Sequence, residues 1–454
     1  MIRRWYQTTF VSLQDPNYRI LWTGSMFSML AFMMSFTVQA VVAFELEGTN
    51  SAVGLVALGF GASMVILGPM GGVIADRVSK RPLVFVGQMI VAASLFGTGL
   101  LIVLGGMTII WLTLLTAVMG LAFTFLGPAR QAWVGEMVPP RNLANAVALG
   151  QLAMNISRVG APLLAGLMIG SAAIGAGGTY IFMASLFGIV LLTVYILPPT
   201  KSKPKHERRA VTTELRAGVS YVARHSALRV LMLLFLAIVV IGFAFQIVLP
   251  ALLERHLDRE ATDIGLILTV NAVAALVVSV GLAGMVGTKW AWPLMLGCGA
   301  LLGIGFLLLS AAPSFGFALL AMVVMGPGIS GFMLINNSLI MANTSPAFFG
   351  RVMSLTMLAF GVQGVLSLPT GILADAIGER QILVVAGIAV LVVVAVGTAA
   401  YGALARSGAL RADRDSALPA MATPAGAVAL PQGVAMVVGQ KSGESVRLVT
   451  GSGD

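Results

Sequence analysis

Long apolar stretches alternate with short polar breaks over most of the chain. Each stretch holds about twenty residues or more, the length that a helix needs to cross a bilayer. The pattern predicts an all-α membrane protein with short connecting loops. The twelve predicted spans are residues 20–44, 52–75, 83–104, 108–126, 144–169, 178–197, 227–249, 264–286, 292–311, 316–341, 352–373 and 382–404.

One long polar stretch interrupts this alternation after the sixth span. Residues 198–226 begin Pro-Pro-Thr-Lys-Ser-Lys-Pro-Lys and continue as a basic segment that we expect to be helical. They divide the chain into two bundles of six predicted helices, residues 20–197 and 227–404, joined by a cytoplasmic linker. Residues 1–19 form a cytoplasmic N-terminus. Residues 405–454 are rich in Ala, Gly, Pro and Ser, which predicts a disordered cytoplasmic tail.

Composition supports a membrane location. Hydrophobic residues make up 58% of the chain and charged residues 10%, against about 25% charged in soluble domains. A soluble fold of this length could not bury so much apolar surface, so much of it must face the lipid bilayer. The single cysteine, Cys298, excludes an internal disulfide, and the three histidines fall in polar loops. We predict neither a metal site nor a cofactor.

The net charge of +10 comes from Lys and Arg concentrated in alternate loops. With the N-terminus inside, only Arg255, Arg259 and Arg380 fall outside, each among acidic residues. This positive-inside bias predicts cytoplasmic N- and C-termini and a place in the inner membrane of the cell. Topology therefore accounts for the basic charge, and we expect no binding to nucleic acid.

The loop between the second and third predicted spans carries four charges where the flanking residues have almost none. It reads G-x-x-x-D-R-x-x-K-R, from Gly72 through Asp76 and Arg77 to Lys80 and Arg81. The pattern indicates a tight cytoplasmic turn. It resembles the first-loop signature of the major facilitator superfamily.

Three further segments resemble one branch of that superfamily, which includes enterobactin-exporter-like and macrolide-efflux-like proteins. They are residues 15–22 (Asp-Pro-Asn-Tyr-Arg-Ile-Leu-Trp), 127–131 (Gly-Pro-Ala-Arg-Gln) and 138–146. The resemblance implies two six-helix bundles, each with inverted three-helix repeats, around a central cavity. The signature of proton-driven drug exporters is only partial, because Thr116 and Met119 occupy its Arg and Gln positions.

The resemblance also implies a gate at the cytoplasmic face. In the family, the Asp of the loop motif meets the start of the eleventh span and braces the two bundles. Here that Asp is Asp76, and the start is Ser345-Pro346, a favourable N-terminus for a carboxylate. Arg130 is a second candidate partner. The rest of the predicted conformational gate is Gly72, Arg77, Lys80 and Arg81. The last two have an alternative explanation as ordinary positive-inside anchors.

Arg158 is the only charged residue that the pattern places deep inside a span. An isolated charge near the middle of a bilayer costs at least about 2.5–3.5 kcal/mol, so this side chain should face a bundle interior or a watery cavity. Gln151, Asn155, Arg158 and Pro162 are spaced four, three and four residues apart and share one helical face. Two interpretations remain open. Arg158 either receives an anionic or polar substrate group, or bonds backbone carbonyls near a helix break at Pro162.

Other polar residues interrupt otherwise apolar spans. As a set they predict a polar substrate path, whereas each one singly is better explained by a hydrogen bond between helices, worth about 0.6 kcal/mol. The candidates for the path, besides those of the fifth span, are Gln39, Gln246, Asn271, Asn336 and Gln363. A helix-break element is predicted at Gly160, Pro162 and Gly166.

These observations favour a secondary transporter that exports a small amphipathic or siderophore-like compound. A membrane enzyme lacks support, since no paired carboxylates or nucleophile dyad is in view, and an ATP-driven pump would need a Gly-rich phosphate loop. A receptor built on the same fold stays open as an alternative. We expect a monomer. Protons are candidate coupling ions, and Glu45 and Asp76 are their nearest candidate carriers, because no span holds a central acid. Movement down the substrate gradient with little proton coupling stays open as the alternative.

The loop motif has a degenerate echo after the eleventh span. It reads Gly371-Ile-Leu-Ala-Asp375-Ala-Ile-Gly378-Glu-Arg380. The logic of inverted repeats places this echo on the outer face, opposite to Asp76.

Overall fold

Fourteen α-helices make up nearly all of the part of the chain that the structure describes. The structure is a computed structural model and describes residues 10–77, 79–139, 142–198, 211–285 and 288–407. The helices are α1 (Pro16–Glu47), α2 (Asn50–Arg77), α3 (Lys80–Val103), α4 (Ile109–Met137), α5 (Leu143–Ile169), α6 (Gly175–Ile196), α7 (Val211–Arg224), α8 (Ser226–Gly242), α9 (Phe245–His256), α10 (Ile264–Ala283), α11 (Ala291–Ser310), α12 (Phe315–Ala342), α13 (Phe349–Ile377) and α14 (Glu379–Ser407).

The predicted all-α membrane fold is confirmed. Within the described residues, 12 helical stretches are long and apolar enough to cross a bilayer. One of them, Ser226–His256, combines α8 and α9, which are separated at Phe243 and Ala244. Helix α4 continues to Met137, so Arg130 lies inside this helix and does not end it. The C-terminal tail and residues 199–210 of the linker lie outside the described residues.

The helices form two six-helix bundles with the same internal packing. In the first bundle α2 packs against α4 and α3 against α6, and in the second bundle α10 packs against α12 and α11 against α14. These pairs are the second with the fourth span and the third with the sixth in each half, as a repeated architecture requires. The main contacts between the bundles are α2 with α13 and α5 with α10, and α9 adds smaller contacts with α1 and α2.

The two ends of the molecule differ in charge. Short loops make successive spans antiparallel, so Lys80, Arg81 and Arg351 lie at one end, which we call the basic end. Asp375 and Glu379 lie at the other, the acidic end.

The linker helix α7 packs against α13 at the basic end. Glu214 pairs with Arg351 there. The ring of Tyr221 stacks on Phe348 with centroids 4.2 Å apart, and its hydroxyl accepts a hydrogen bond from the backbone N–H of Ser345 at 3.0 Å. These contacts fix the linker helix to the second bundle.

Candidate translocation path and its closures

The N-terminus of α2 is held by a carboxylate from the other bundle. Asp375, near the end of α13, accepts hydrogen bonds from the backbone N–H of Asn50 at 2.8 Å and of Ser51 at 2.8 Å. The side-chain amide of Asn50 donates to the same carboxylate at 2.9 Å. The first N–H groups of a helix have no partner within the helix, and its dipole favours a negative charge at that point. Asp375 therefore joins the two bundles at the acidic end.

A second carboxylate completes this contact. Glu379 is only 3% exposed and accepts from the Asn50 amide at 2.9 Å, from Arg255 Nη1 at 2.7 Å and from His256 Nε2 at 3.1 Å. Arg255 also donates to the carbonyl of Gly48 in the first bundle. We call Asn50, Arg255, His256, Asp375 and Glu379 the acidic-end latch. It connects helices from both bundles around the buried Asn50 and Glu379, while Arg255, His256 and Asp375 are exposed at its rim.

Glycines also allow helices of the two bundles to pack closely against each other. A Cβ on Gly61 of α2 would lie 2.5 Å from the Cα of Gly364 in α13. A Cβ on Gly265 of α10 would lie 2.5 Å from the carbonyl oxygen of Pro162 and 2.7 Å from the Cα of Gly166 in α5. No larger residue fits between such closely spaced backbones, so both interhelical contacts depend on glycine.

The polar face of α5 is covered at one end and open at the other. Pro162 is buried against α10, whereas Gln151, Asn155 and Arg158 on the same face are exposed. All three lie closer to the basic end than Pro162 does. Within the described part of the chain none of the three side chains makes a hydrogen bond or an ion pair. Towards the basic end, α10 therefore no longer covers this face of α5. The guanidinium of Arg158 on this face has no partner among the described residues.

The predicted helix break is wrong. Helix α5 runs without interruption from Leu143 to Ile169, with Pro162 inside it. Proline lacks only one backbone donor, and membrane helices tolerate this where neighbouring helices and small local adjustments satisfy the freed groups. Of the predicted element, Gly160 has open space around it and Gly166 packs on Gly265. Pro162 and Gly166 instead form the contact of α5 with α10.

Arg130 belongs to a polar cluster inside the first bundle. Its Nη2 donates to the Ser28 hydroxyl at 3.1 Å, and the Gln88 amide lies 3.4 Å from the same hydroxyl. Ser28 and Gln88 are buried, and Arg130 is half-buried. Helices α1, α3 and α4 thus hold a second guanidinium in the membrane region.

Four phenylalanines form an aromatic cluster beside these groups. Phe32 stacks on Phe123 with centroids 3.6 Å apart, and Phe36 and Phe60 lie 5.5 Å apart, edge to face. All four rings are half-buried. Sequence reasoning missed the cluster, because the rings come from α1, α2 and α4. The only local signal is the spacing of four residues between Phe32 and Phe36.

The other predicted path residues fall into different surroundings. Asn336 is fully buried and donates to the carbonyl of Leu231 at 3.2 Å, and Asn271 donates to the carbonyl of Met322 at 3.3 Å. These bonds join helices of the second bundle. The remaining candidates are Gln39, which is buried and accepts from Thr116, Gln363, which donates to Ser367, and the half-buried Gln246.

The predicted gate residues are only partly described. For Gly72, Asp76 and Arg77 the structure describes only the backbone, which is part of α2. The proposed contact of Asp76 with the eleventh span or Arg130 therefore stays a prediction. Arg81 donates to the carbonyl of Tyr195. The eleventh span begins with a short 3-10 turn, Pro346–Phe348, before α13.

Lys80 is a buried member of an ion pair. Its Nζ lies 2.5 Å from Glu136 Oε1, and the two side chains are 9% and 21% exposed. Glu136 could not be predicted as the partner, because the two residues lie on different helices, α3 and α4. Lys80 therefore has a structural partner in addition to its place in the basic loop.

We expect Glu136→Gln to lower stability by about 2 kcal/mol, because it leaves a mostly buried ammonium group without its carboxylate. Thermal unfolding in detergent measures this. The double variant Lys80→Met with Glu136→Leu should recover most of the loss, since neither charge then remains. Asp263→Asn is the matched control, because its pair with Arg259 is exposed and 3.8 Å long. Equal melting temperatures for Glu136→Gln and Asp263→Asn would contradict the prediction.

Two of the segments that resemble the superfamily branch, residues 15–22 and 138–146, contact each other. Tyr18 donates to the carbonyl of Ala146 at 2.7 Å and Trp22 to that of Leu149 at 2.8 Å. The backbone N–H of Ser12 donates to the Asn145 side chain at 3.1 Å. The two motifs therefore fix the first half of α5, which carries Gln151 and Asn155, against α1.

Comparison with known proteins assigns this architecture to a family. The sequence profile of the Major Facilitator Superfamily matches residues 21–367, most of the chain. The chain belongs to the major facilitator superfamily. It is therefore a multi-pass membrane protein of a transporter family, as the first-loop motif indicated.

Individual relatives within the superfamily are distant. Macrolide efflux protein A of Streptococcus pyogenes is 20% identical over 370 residues, 80% of this chain and 89% of that protein. The uncharacterized MFS-type transporter YfiS of Bacillus subtilis (strain 168) is 22% identical over 192 residues. That match covers 41% of this chain and less than half, 44%, of YfiS.

Solved transporter structures share the fold at low identity. A bacterial homologue of the human lysosomal transporter Spinster, inward-facing and unoccupied, superimposes with a TM-score of 0.66 at 15% identity, covering 88% of this chain and 98% of that one. The nucleoside transporter NupG gives a TM-score of 0.67 at 14% identity, covering 84% and 99%. At these identities the likeness establishes the fold and leaves the substrate to be argued from the site.

Proposed function

We propose that the protein is a secondary transporter that works by alternating access and that its structure corresponds to an inward-facing state. The observation that carries this proposal is the asymmetry of the α5–α10 contact. Pro162 and Gly166 pack on Gly265, while Arg158 and Asn155 on the same helix are exposed. The latch supports it, because it joins the bundles at the acidic end. By the positive-inside rule, the basic end faces the cytoplasm and the acidic end the outside.

Export of a small amphipathic compound fits this arrangement. A cavity open to the cytoplasm loads its substrate from inside the cell, and the half-buried phenylalanine cluster suits an apolar body. Similarity to a macrolide efflux protein favours the same direction. We place the protein in the inner membrane as a monomer, with both termini in the cytoplasm.

Transport by purified protein in liposomes tests the proposal. The panel comprises dyes, antibiotics and catecholates, each assayed with and without a pH gradient. We expect the protein to move at least one of these compounds faster than protein-free liposomes do, and an imposed proton gradient to raise the rate. Binding of a panel compound with no movement across the bilayer would instead support the receptor alternative.

Proton coupling requires a carboxylate that changes its exposure. Glu45, near the end of α1, and Asp76 are the proposed carriers. Each of the variants Glu45→Gln and Asp76→Asn tests one carrier through the dependence of transport on pH, and Glu47→Gln, an exposed neighbour on the same helix, is the control. We expect one of the two variants to lose the stimulation by a proton gradient. Unchanged stimulation in both would exclude these two acids.

A further inference from the structure

The middle of the first bundle carries two guanidinium groups and no described carboxylate. Arg158 lies fifteen residues into α5, about 22 Å along its axis. Arg130 bonds Ser28, twelve residues into α1. The described acids of this bundle all lie at helix ends and are Asp15, Glu45, Glu47 and Glu136. The charge in the middle of the bundle is therefore positive and uncompensated among the described side chains.

The two guanidinium groups extend towards a common level. Helical side chains tilt towards the N-terminus of their own helix. Helix α5 starts at the basic end and α4 at the acidic end, so Arg158 leans towards the basic end and Arg130 towards the acidic end. Arg130 keeps further N–H donors beyond the one bonded to Ser28. Arginine presents its donors in a planar fork that matches carboxylates and phosphates.

An apolar surface lies on the neighbouring helices. Helix α5 packs against α1, which carries Phe32 and Phe36. These rings contact Phe60 and Phe123 at centroid distances between 3.6 and 5.9 Å. Half-buried aromatic rings bind flat apolar groups by offset stacking or edge-to-face contact. Cationic donors and an aromatic surface thus belong to one wall of the proposed cavity.

We propose that this cavity selects amphipathic organic anions, an inference that rests on the transport function proposed above. The anionic group binds Arg158 and Arg130, and the aromatic or apolar body packs on Phe32, Phe36, Phe60 and Phe123. An anion satisfies donors that are otherwise unpaired in a low-dielectric setting, and an organic cation of the same shape is repelled.

Two dyes with the same ring system and opposite charge test this. Fluorescein is anionic and rhodamine 123 is cationic, and both are assayed in the same proteoliposomes. We expect kcat/KM for fluorescein to exceed that for rhodamine 123 by roughly tenfold or more. Arg158→Gln should remove most of this preference by lowering kcat/KM for fluorescein and leaving that for rhodamine 123 unchanged. Arg158→Lys should keep part of the preference because the charge remains. Phe123→Leu should slow both dyes.

Lys289→Gln is the matched control, because it removes an exposed cation at the basic end, beside Trp290 and outside the cavity. Rhodamine 123 transported in preference to fluorescein, an equal effect of Arg158→Gln on both dyes, or movement of neither dye would overturn the anion assignment. In each of these cases, transport of any other panel compound would leave the proposed transport function standing. If no compound were transported, both the anion assignment and the proposed transport function would be contradicted.

Discussion

Glu379→Gln is expected to open the acidic end. The glutamate accepts from Asn50, Arg255 and His256 at once, and glutamine offers one acceptor oxygen and no charge. Arg255 and His256 belong to the same bundle as Glu379, so among these bonds only the one from the Asn50 amide crosses between the bundles. Hydrogen bonds to charged groups contribute about 1.5–3 kcal/mol each. The bond from Asn50 exists only in the closed arrangement, so its loss, at about 2 kcal/mol, should raise the ratio of open to closed protein roughly thirtyfold.

Distances between paired spin labels measure that shift. Labels at Glu47→Cys and Glu260→Cys report on the acidic end, and labels at Arg19→Cys and Lys289→Cys report on the basic end; all four positions are exposed. With Glu379→Gln, the first distance should lengthen and the second should shorten. Asp258→Asn is the control, since this exposed acid has a φ of 49° that asparagine also tolerates. Identical distance distributions in Glu379→Gln and Asp258→Asn would exclude a latch.

Gly265→Val is expected to wedge the bundles apart at the acidic end. A Cβ at this position would lie 2.5 Å from the Pro162 carbonyl oxygen and 2.7 Å from Gly166 Cα. Both are backbone atoms of α5, so the neighbour yields only if the whole helix moves. Overpacking of this kind costs about 3 kcal/mol. We expect a roughly hundredfold fall in the fraction of closed protein and a corresponding loss of transport, because the cycle needs the closed state.

Gly281→Val is the matched control for this variant. Gly281 lies on the same helix, and no atom comes within 4 Å of a Cβ placed there. Both substitutions replace glycine by valine within one helix and therefore change helix propensity in the same direction, so the main difference between them is the contact. Transport by Gly265→Val at the rate of Gly281→Val would show that the α5–α10 contact is not needed for closure.

The helices and their grouping could be predicted from the sequence because a bilayer leaves few options. Each span must satisfy its own backbone hydrogen bonds, so a long apolar stretch becomes a helix. The echo motif also correctly predicted that Asp375 lies at the end of the molecule opposite to the first loop, because inverted repeats place it there. The break between α8 and α9 was not predicted, because Phe243 and Ala244 carry no strong turn signal.

Partners that meet only in three dimensions could not be predicted. Asn50 and Asp375 are 325 positions apart, and nothing near either residue in the sequence indicates the other. The same holds for Arg255 and His256 with Glu379, and sequence reasoning placed these two cations simply in an outer loop. Pairing between helices that are distant in the sequence depends on how they approach one another, which the apolar pattern of each helix does not specify.

Labelling of a single cysteine at Asn155 tests whether the cavity opens to the cytoplasm and is closed on the outer side by the acidic-end latch. With Cys298 replaced by Ala and Asn155 by Cys, a membrane-impermeant maleimide is applied to inside-out and right-side-out vesicles. We expect labelling from the cytoplasmic side in the otherwise unchanged protein, and additional labelling from the outside once Glu379→Gln is introduced. Labelling only from the outside in the otherwise unchanged protein, or a pattern that Glu379→Gln leaves unaltered, would contradict a cavity that the latch closes on the outer side.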